Sequence, residues 1–170
     1  WWEPLAYCWG GIAVGHLEPS ELAIFRPLWQ HAWAVNYHGY LGPSRRTLAE
    51  ESDPWYLWRP LKLWLPKLRE LGYVSKERPV RILLGETGPY TADLLGTEGR
   101  ANLTVQIHRA FAGRAAIEPD VAFVGSCGYG FGLVGSDDDP NDQRPWRLDG
   151  QERIFEAAAV AETPPSPPRI

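Results

Sequence analysis

Short apolar runs recur along the chain, and each is followed by a segment that can form a helix. Four of these runs have the length and composition of buried parallel strands, at residues 12–14, 34–37, 80–84 and 121–124. Strand alternating with helix four times indicates consecutive βα units in a parallel sheet. The pattern therefore predicts an α/β fold of about four parallel βα units.

The first two connecting segments carry helix signals of different strength. After the first strand, Ser20 can cap a helix through its side-chain oxygen. After the second strand, residues 53–54 are a plausible helix start and Gly72 a stop. Pro60 and Pro66 fall inside that span, so we expect a delayed start or a kink.

In the last two connecting segments, the spacing of apolar and capping residues predicts helices. Leu103, Ile107 and Phe111 form an i, i+4, i+8 stripe, which predicts an amphipathic helix. Asp149, with Glu152 three positions later, resembles a capping box that opens the helix after the fourth strand.

The two ends of the chain suggest a longer polypeptide. The sequence contains no methionine, opens on Trp1-Trp2 and shows no signal-peptide pattern, so we expect it to be an excerpt of a larger protein. Residues 162–170 have the proline-rich composition of a linker or tail. We therefore assign residues 1–161 to the folded domain and expect the remainder of the parent chain to be its partner.

Composition narrows the classes of partner. The net charge of −4 argues against nucleic acid and anionic membrane surfaces, and no apolar run approaches the roughly 20 residues needed to span a bilayer. Nine Trp, seven Tyr and five Phe indicate either a large aromatic core or a site where sugar rings stack on aromatic rings. Cys8 and Cys127 form no CxxC motif, and a buried thiol pair is the simplest expectation.

Candidate chemistry lies where the strands end, because ligands of parallel βα proteins bind at the carboxyl edge of the sheet. There Glu86 ends an otherwise apolar strand, a costly position for a carboxylate unless it is hydrogen-bonded or functional. By alternation Glu86 shares a face with Ile82 and Leu84. On the preceding strand, His38 and Tyr40 share a face with Asn36. If both faces point into a barrel, Glu86, His38 and Tyr40 converge. The alternative is a carboxylate paired structurally with an arginine.

Other strand ends supply further candidates. His16 and Glu18 follow the first strand and Tyr90 the third, and we expect them to contact substrate. No third ligand accompanies His16 and Glu18, so we predict no metal site.

These residues carry a family resemblance. Residues 81–88 resemble the seventh strand of the clan A glycoside hydrolases, an apolar strand that ends in the nucleophilic glutamate. His38-Gly39-Tyr40 looks like the sixth-strand His-x-Tyr of that clan, and residues 121–129 with Trp146 look like the eighth strand and the aromatic platform after it. Residues 10–19 are similar to the fifth-strand segment. The resemblance rests on the order and spacing of short motifs from about residue 5 to residue 160.

The resemblance implies the carboxyl-terminal half, strands five to eight, of a TIM (β/α)8 barrel that hydrolyses glycosidic bonds with retention and needs no cofactor. Glu86 would be the nucleophile, and His38, Tyr40 and Trp146 would contact an oligosaccharide or polysaccharide substrate. The acid/base glutamate of the family would lie before residue 1, and Glu3 lacks the preceding asparagine. The chain alone is therefore expected to be inactive.

Two motifs of other functions are present but incomplete. Residues 130–135 match GxGxxG, yet a turn-forming acidic stretch follows where a dinucleotide site needs a helix. Asp137, Asp139 and Asn141 have calcium-loop spacing, but the sixth-position glycine and the bidentate glutamate are absent. We expect neither a nucleotide cofactor nor calcium.

Two alternatives to a glycosidase stay open. One is a non-catalytic carbohydrate-binding or scaffolding barrel that kept the fold without the chemistry. The other is an unrelated α/β domain of the doubly wound, flavodoxin-like kind, in which the strand order reverses within the sheet.

Overall fold

The computed structural model describes residues 8–13, 15–43, 45–89, 95–128, 151, 153–154 and 156–157. In chain order the elements are strand β1 (Cys8–Ile12), a 3₁₀ helix (Pro19–Phe25), helix α1 (Arg26–His31), strand β2 (Ala34–Tyr40), a 3₁₀ turn (Leu48–Glu50), a π-helical segment (Pro60–Trp64), helix α2 (Leu65–Glu70), strand β3 (Val80–Gly88), helix α3 (Gly96–Ala115) and strand β4 (Val121–Gly128). The chain is thus an α/β protein built from βα units.

The four strands form one parallel sheet in the order β1-β2-β3-β4. The predicted alternation is confirmed, and the sequential order argues against a doubly wound sheet, in which the order reverses. Strands β2, β3 and β4 run further toward the carboxyl edge than their apolar runs. Strand β1 begins at Cys8, four residues before the predicted run at 12–14. The segments at the strand ends contain glycine and few apolar side chains, so the hydrophobic pattern does not identify them as strand.

One face of the sheet lies under the helices. Val35 and Tyr37 of β2 and Ile82 and Leu84 of β3 are buried there. They share one hydrophobic core with residues of α1, the π-helical segment, α2 and α3, including Trp29, Leu61, Leu65, Leu103, Ile107 and Phe111. We call this side of the sheet the helix-covered face. The helices therefore pack on one side of the sheet, as the βα pattern predicts.

Much of the aromatic content belongs to this core. The ring of Trp9 packs edge-on against Trp29 at a centroid distance of 4.8 Å, and Tyr37 packs against Trp64 at 5.1 Å. The rings of Trp58 and Phe111 are stacked. For these residues the core explanation of the aromatic composition is confirmed.

The helix boundaries differ in part from the predicted ones. Glu18, not Ser20, caps the first helical segment, in a capping box with Glu21. The helical stretch after β2 begins near Pro60 instead of residues 53–54, which is the delayed start that its prolines predict. Gly72 ends it with a positive φ of 67°, a conformation that glycine adopts at little cost.

The third helix matches its prediction, and the fourth is described only in part. All three stripe residues of α3 are buried. Residues 153–154 and 156–157 are helical, whereas Asp149 and Glu152 lie outside the described residues. Among the described residues, no helix combines the length and apolarity that crossing a bilayer requires.

An ion-pair cluster ties the helical layer to the amino edge of the sheet. Arg69 of α2 binds both carboxylate oxygens of Asp120, which directly precedes β4, at 2.7 and 2.6 Å, and Glu118 at 2.7 Å. Hydrogen bonds from the Arg69 guanidinium hold the pKa of Asp120 below its usual range. This cluster is structural and lies at the edge opposite the strand ends that carry the candidate site.

Candidate functional site at the carboxyl edge of the sheet

A β-bulge in β3 decides where Glu86 points. Tyr37 pairs with Leu84, but the next residue of β2, His38, pairs with Glu86, so Gly85 is an extra residue in β3. A bulge of this kind breaks the alternation of side chains. Glu86 therefore leaves the face of Leu84 and joins that of His38, and the prediction that Glu86 shares a face with Ile82 and Leu84 is wrong.

The face that Glu86 joins is the opposite side of the sheet from the helices. We call it the open face and define it by Asn36, His38, Tyr40, Leu83 and Glu86. All five residues are half-buried, in contrast to the fully buried residues that alternate with them. This is the side on which His38 and Tyr40 were expected to meet the carboxylate.

The open face brings the three central candidate residues together. The hydroxyl of Tyr40 donates a hydrogen bond of 2.8 Å to Oε2 of Glu86. Nδ1 of His38 lies 3.3 Å from the same oxygen. The side chains of His38 and Glu86 are 23% and 33% exposed, so solvent or a ligand can reach both. The expected convergence of Glu86, His38 and Tyr40 is confirmed, although through the bulge and not through simple alternation.

These contacts do not show Glu86 paired with an arginine, which was the structural alternative for this carboxylate. Among the described residues, His38 is the only basic side chain that lies within ion-pair distance of Glu86. Glu18 is the carboxylate that pairs with an arginine, since its Oε1 lies 2.9 Å from Nη2 of Arg59, whose side chain is fully buried. Nε and Nη2 of Arg59 also donate to the carbonyl oxygen of Leu17.

These contacts give Glu18 a structural task in the loop after β1. It caps a 3₁₀ helix and balances the charge of Arg59, which ties the loop after β1 to the segment after β2. His16 is exposed in the same loop. That Glu18 and His16 contact substrate stays a prediction.

Several predicted features fall outside the described residues. They are Tyr90, Trp146, the glycine-rich run at 130–135 and the acidic loop at 137–141. Within the described part of the chain, no group of three His, Cys, Asp or Glu side chains is placed to hold a metal ion. Cys8 and Cys127 are both free and exposed, so the expectation of a buried thiol pair is wrong.

Asn36 and Gly85 belong to the site although neither was a candidate catalytic or substrate-contacting residue in the sequence. Asn36 lies two positions before His38 and therefore on the same face of β2, which alternation alone places correctly. Gly85 matters because of a neighbour on another strand, and nothing in the sequence near residue 85 indicates that contact.

Comparison of the chain with protein-family models, with curated proteins and with solved structures finds no match. The function of the site therefore has to follow from its own geometry and chemistry.

Proposed function

We propose that the chain is part of a retaining glycoside hydrolase in which Glu86 is the nucleophile. The observation that supports this most is the group at the carboxyl edge of a parallel sheet in which Tyr40 donates a hydrogen bond to Glu86 and His38 lies 3.3 Å from the same carboxylate oxygen. A half-exposed carboxylate held by fixed neighbours is the type of group that attacks an anomeric carbon in retaining hydrolysis.

The contacts of Glu86 divide its two oxygens between two tasks. Tyr40 and His38 both approach Oε2, whereas no described residue hydrogen-bonds to Oε1. Hydrogen bonds to a carboxylate stabilise its ionised form and fix its orientation. In the proposed reaction Oε1 attacks the anomeric carbon while the bond to the leaving oxygen breaks and the general acid protonates that oxygen. Oε2 stays bound to Tyr40, and water activated by the same acid/base group later hydrolyses the glycosyl-enzyme ester.

The fold supports a barrel as the setting for this chemistry. Four sequential parallel strands with helices on one side are the arrangement of consecutive units in a (β/α)8 barrel, in which the open face would line the interior. Eight strands close such a barrel, so the other four would come from the remainder of the parent chain. The general acid, about 5 Å from the nucleophile in retaining enzymes, would come from there as well.

Substitution of Glu86 tests the proposal. In the full-length protein, Glu86→Gln should lower kcat on an aryl-glycoside substrate about a thousandfold or more, roughly 4 kcal/mol of transition-state stabilisation. Affinity for an oligosaccharide should change much less, because Gln keeps the shape of the side chain and other residues contact the sugar. The measurement is hydrolysis of a panel of aryl glycosides by wild type and variant.

The matched control is Glu77→Gln. Glu77 is exposed in the turn before the amino end of the same strand, where it accepts a hydrogen bond only from Ser75 among the described residues. We expect wild-type kcat from this control. Retention of more than about a tenth of wild-type kcat by Glu86→Gln would show that Glu86 is a structural residue and that the nucleophile assignment is wrong.

A further inference from the structure

Gly85 and Asn36 touch so closely that any side chain at position 85 would have to displace the Asn36 amide. A Cβ added to Gly85 would overlap Oδ1 of Asn36 and would lie 2.7 Å from its Cγ and Nδ2. Such an approach is far closer than any contact that a real side chain makes. The Asn36 amide therefore occupies the space that a side chain at the bulge would need.

The Asn36 amide is held there by packing and not by hydrogen bonding. Its Oδ1 is buried and has no hydrogen-bond partner among the described residues. A buried acceptor without a donor is unfavourable, and in native proteins such a group is explained by strain, by a functional role or by a bound water or ion. The unfavourable position of Asn36 lies directly beside the residue that turns Glu86 to the open face.

We propose that Asn36 is a positioning residue for Glu86. The amide of Asn36, seated on Gly85, holds the bulge in which Glu86 faces Tyr40 and His38. Without the bulge, regular alternation would return Glu86 to the side of Leu84 and the helices. The catalytic consequence rests on the proposed function, whereas the effect on the direction of Glu86 does not.

A cysteine on the neighbouring strand can report that direction. Leu84 pairs with Ser126 and Thr87 with Gly128, so Cys127 lies across from Gly85 and Glu86. Oγ of Ser126 lies 2.9 Å from Nδ1 of His108 on α3, which places Ser126 on the helix-covered face. Cys127 therefore points to the open face beside Glu86, and it is exposed.

The experiment measures how the charge of Glu86 affects reaction of the Cys127 thiol. In the full chain carrying Cys8→Ser, the Cys127 thiol reacts separately with a cationic and with an anionic methanethiosulfonate reagent. The measured ratio is the rate constant for the cationic reagent divided by the rate constant for the anionic one. The Glu86 carboxylate attracts the cation and repels the anion, so Glu86→Gln should lower the ratio about fivefold or more. The control is the Cys8 thiol in the Cys127→Ser background, at the amino end of β1, whose ratio Glu86→Gln should leave unchanged.

Two variants and their combination then test Asn36. Gly85→Ala should lower the ratio as far as Glu86→Gln does, because the methyl group displaces Asn36 and the bulge is lost. Asn36→Ala should lower it in part, since nothing then packs on Gly85. The double variant should recover most of the wild-type ratio, because the methyl group introduced by Gly85→Ala fills the space that the amide leaves.

A wild-type ratio in Gly85→Ala, or a double variant no better than Gly85→Ala, would overturn the proposal. If Gly85→Ala does not fold, the comparison of Asn36→Ala with the double variant decides. In an active full-length protein, the single variants should lower kcat with KM nearly unchanged. The labelling needs no turnover. The expected ratios, together with no glycoside hydrolysis by the full-length protein, would therefore refute the proposed function and leave the positioning of Glu86 in place.

Discussion

Two tyrosines of β2 show how the two faces of the sheet differ. Tyr37, on the helix-covered face, is fully buried, and its hydroxyl donates to the carbonyl oxygen of Tyr56 at 2.8 Å and accepts from the Gly15 amide at 3.3 Å. Burial raises the pKa of this hydroxyl well above its usual range. Tyr40, three residues later on the open face, donates to the carboxylate of Glu86 instead. The first hydroxyl joins loops of the fold, and the second holds the carboxylate that is proposed to react.

The same division applies to the acidic residues. Glu18 and Asp120 pair with arginines that connect separate segments of the chain. Glu86 pairs with a histidine and a tyrosine and stays partly exposed. A carboxylate bound by arginine is committed to structure, whereas Glu86 keeps one oxygen without a partner among the described residues. The faces therefore separate what stabilises the sheet from what can react.

The largest expected effect is a difference in stability between alanine variants of two neighbouring residues on β3. Ile82→Ala on the helix-covered face should lower the free energy of unfolding by about 2–5 kcal/mol, because it leaves a cavity in the core. Leu83→Ala on the open face should cost less than half as much, since its side chain is only half-buried. Urea unfolding of the 170-residue chain measures both. Equal losses would mean that the open face is packed as tightly as the core, and the comparison would fail.

A smaller expected effect distinguishes the two tyrosines, because removing one hydroxyl should lower activity and removing the other should lower stability. Tyr40→Phe should lower kcat/KM about ten- to a hundredfold, since a hydrogen bond to a charged group contributes about 1.5–3 kcal/mol, while stability changes little. Tyr37→Phe should do the reverse and lower stability by about 1–2 kcal/mol, because the carbonyl of Tyr56 and the amide of Gly15 lose their partner. Steady-state kinetics and urea unfolding of both variants separate the effects. Loss of stability in Tyr40→Phe with unchanged kcat/KM would contradict the assignment.

The sequence predicts the helix-covered half of the molecule well. Apolar runs locate β2, β3 and β4, whereas the first run shares only Ile12 with β1. The spacing of Leu103, Ile107 and Phe111 locates α3, because burial under helices imposes apolar residues at regular intervals. The prolines also predict the late start of the helix after β2. The amino end of β1 was missed because Gly10 and Gly11 interrupt its apolar pattern.

The open face was predicted only in part. Motif order identified His38, Tyr40 and Glu86, and the structure brings them together. The direction of Glu86 was derived from alternation, which a bulge breaks without any local signal. Only the approach of Asn36 from another strand shows that a side chain at residue 85 would displace the Asn36 amide. Contacts between strands are tertiary information, and periodicity along one strand does not contain them.

The central claim is that Glu86 forms a covalent bond with the sugar. The most direct test treats the full-length protein with a panel of activated 2-deoxy-2-fluoro glycosides, which slow hydrolysis of the glycosyl-enzyme, and locates the added mass by peptide mass spectrometry. The account predicts one added sugar per protein on the peptide that contains Glu86, and no addition in Glu86→Gln. Attachment to a different carboxylate, or no attachment with the fluorinated form of a glycoside that the protein hydrolyses, would contradict it.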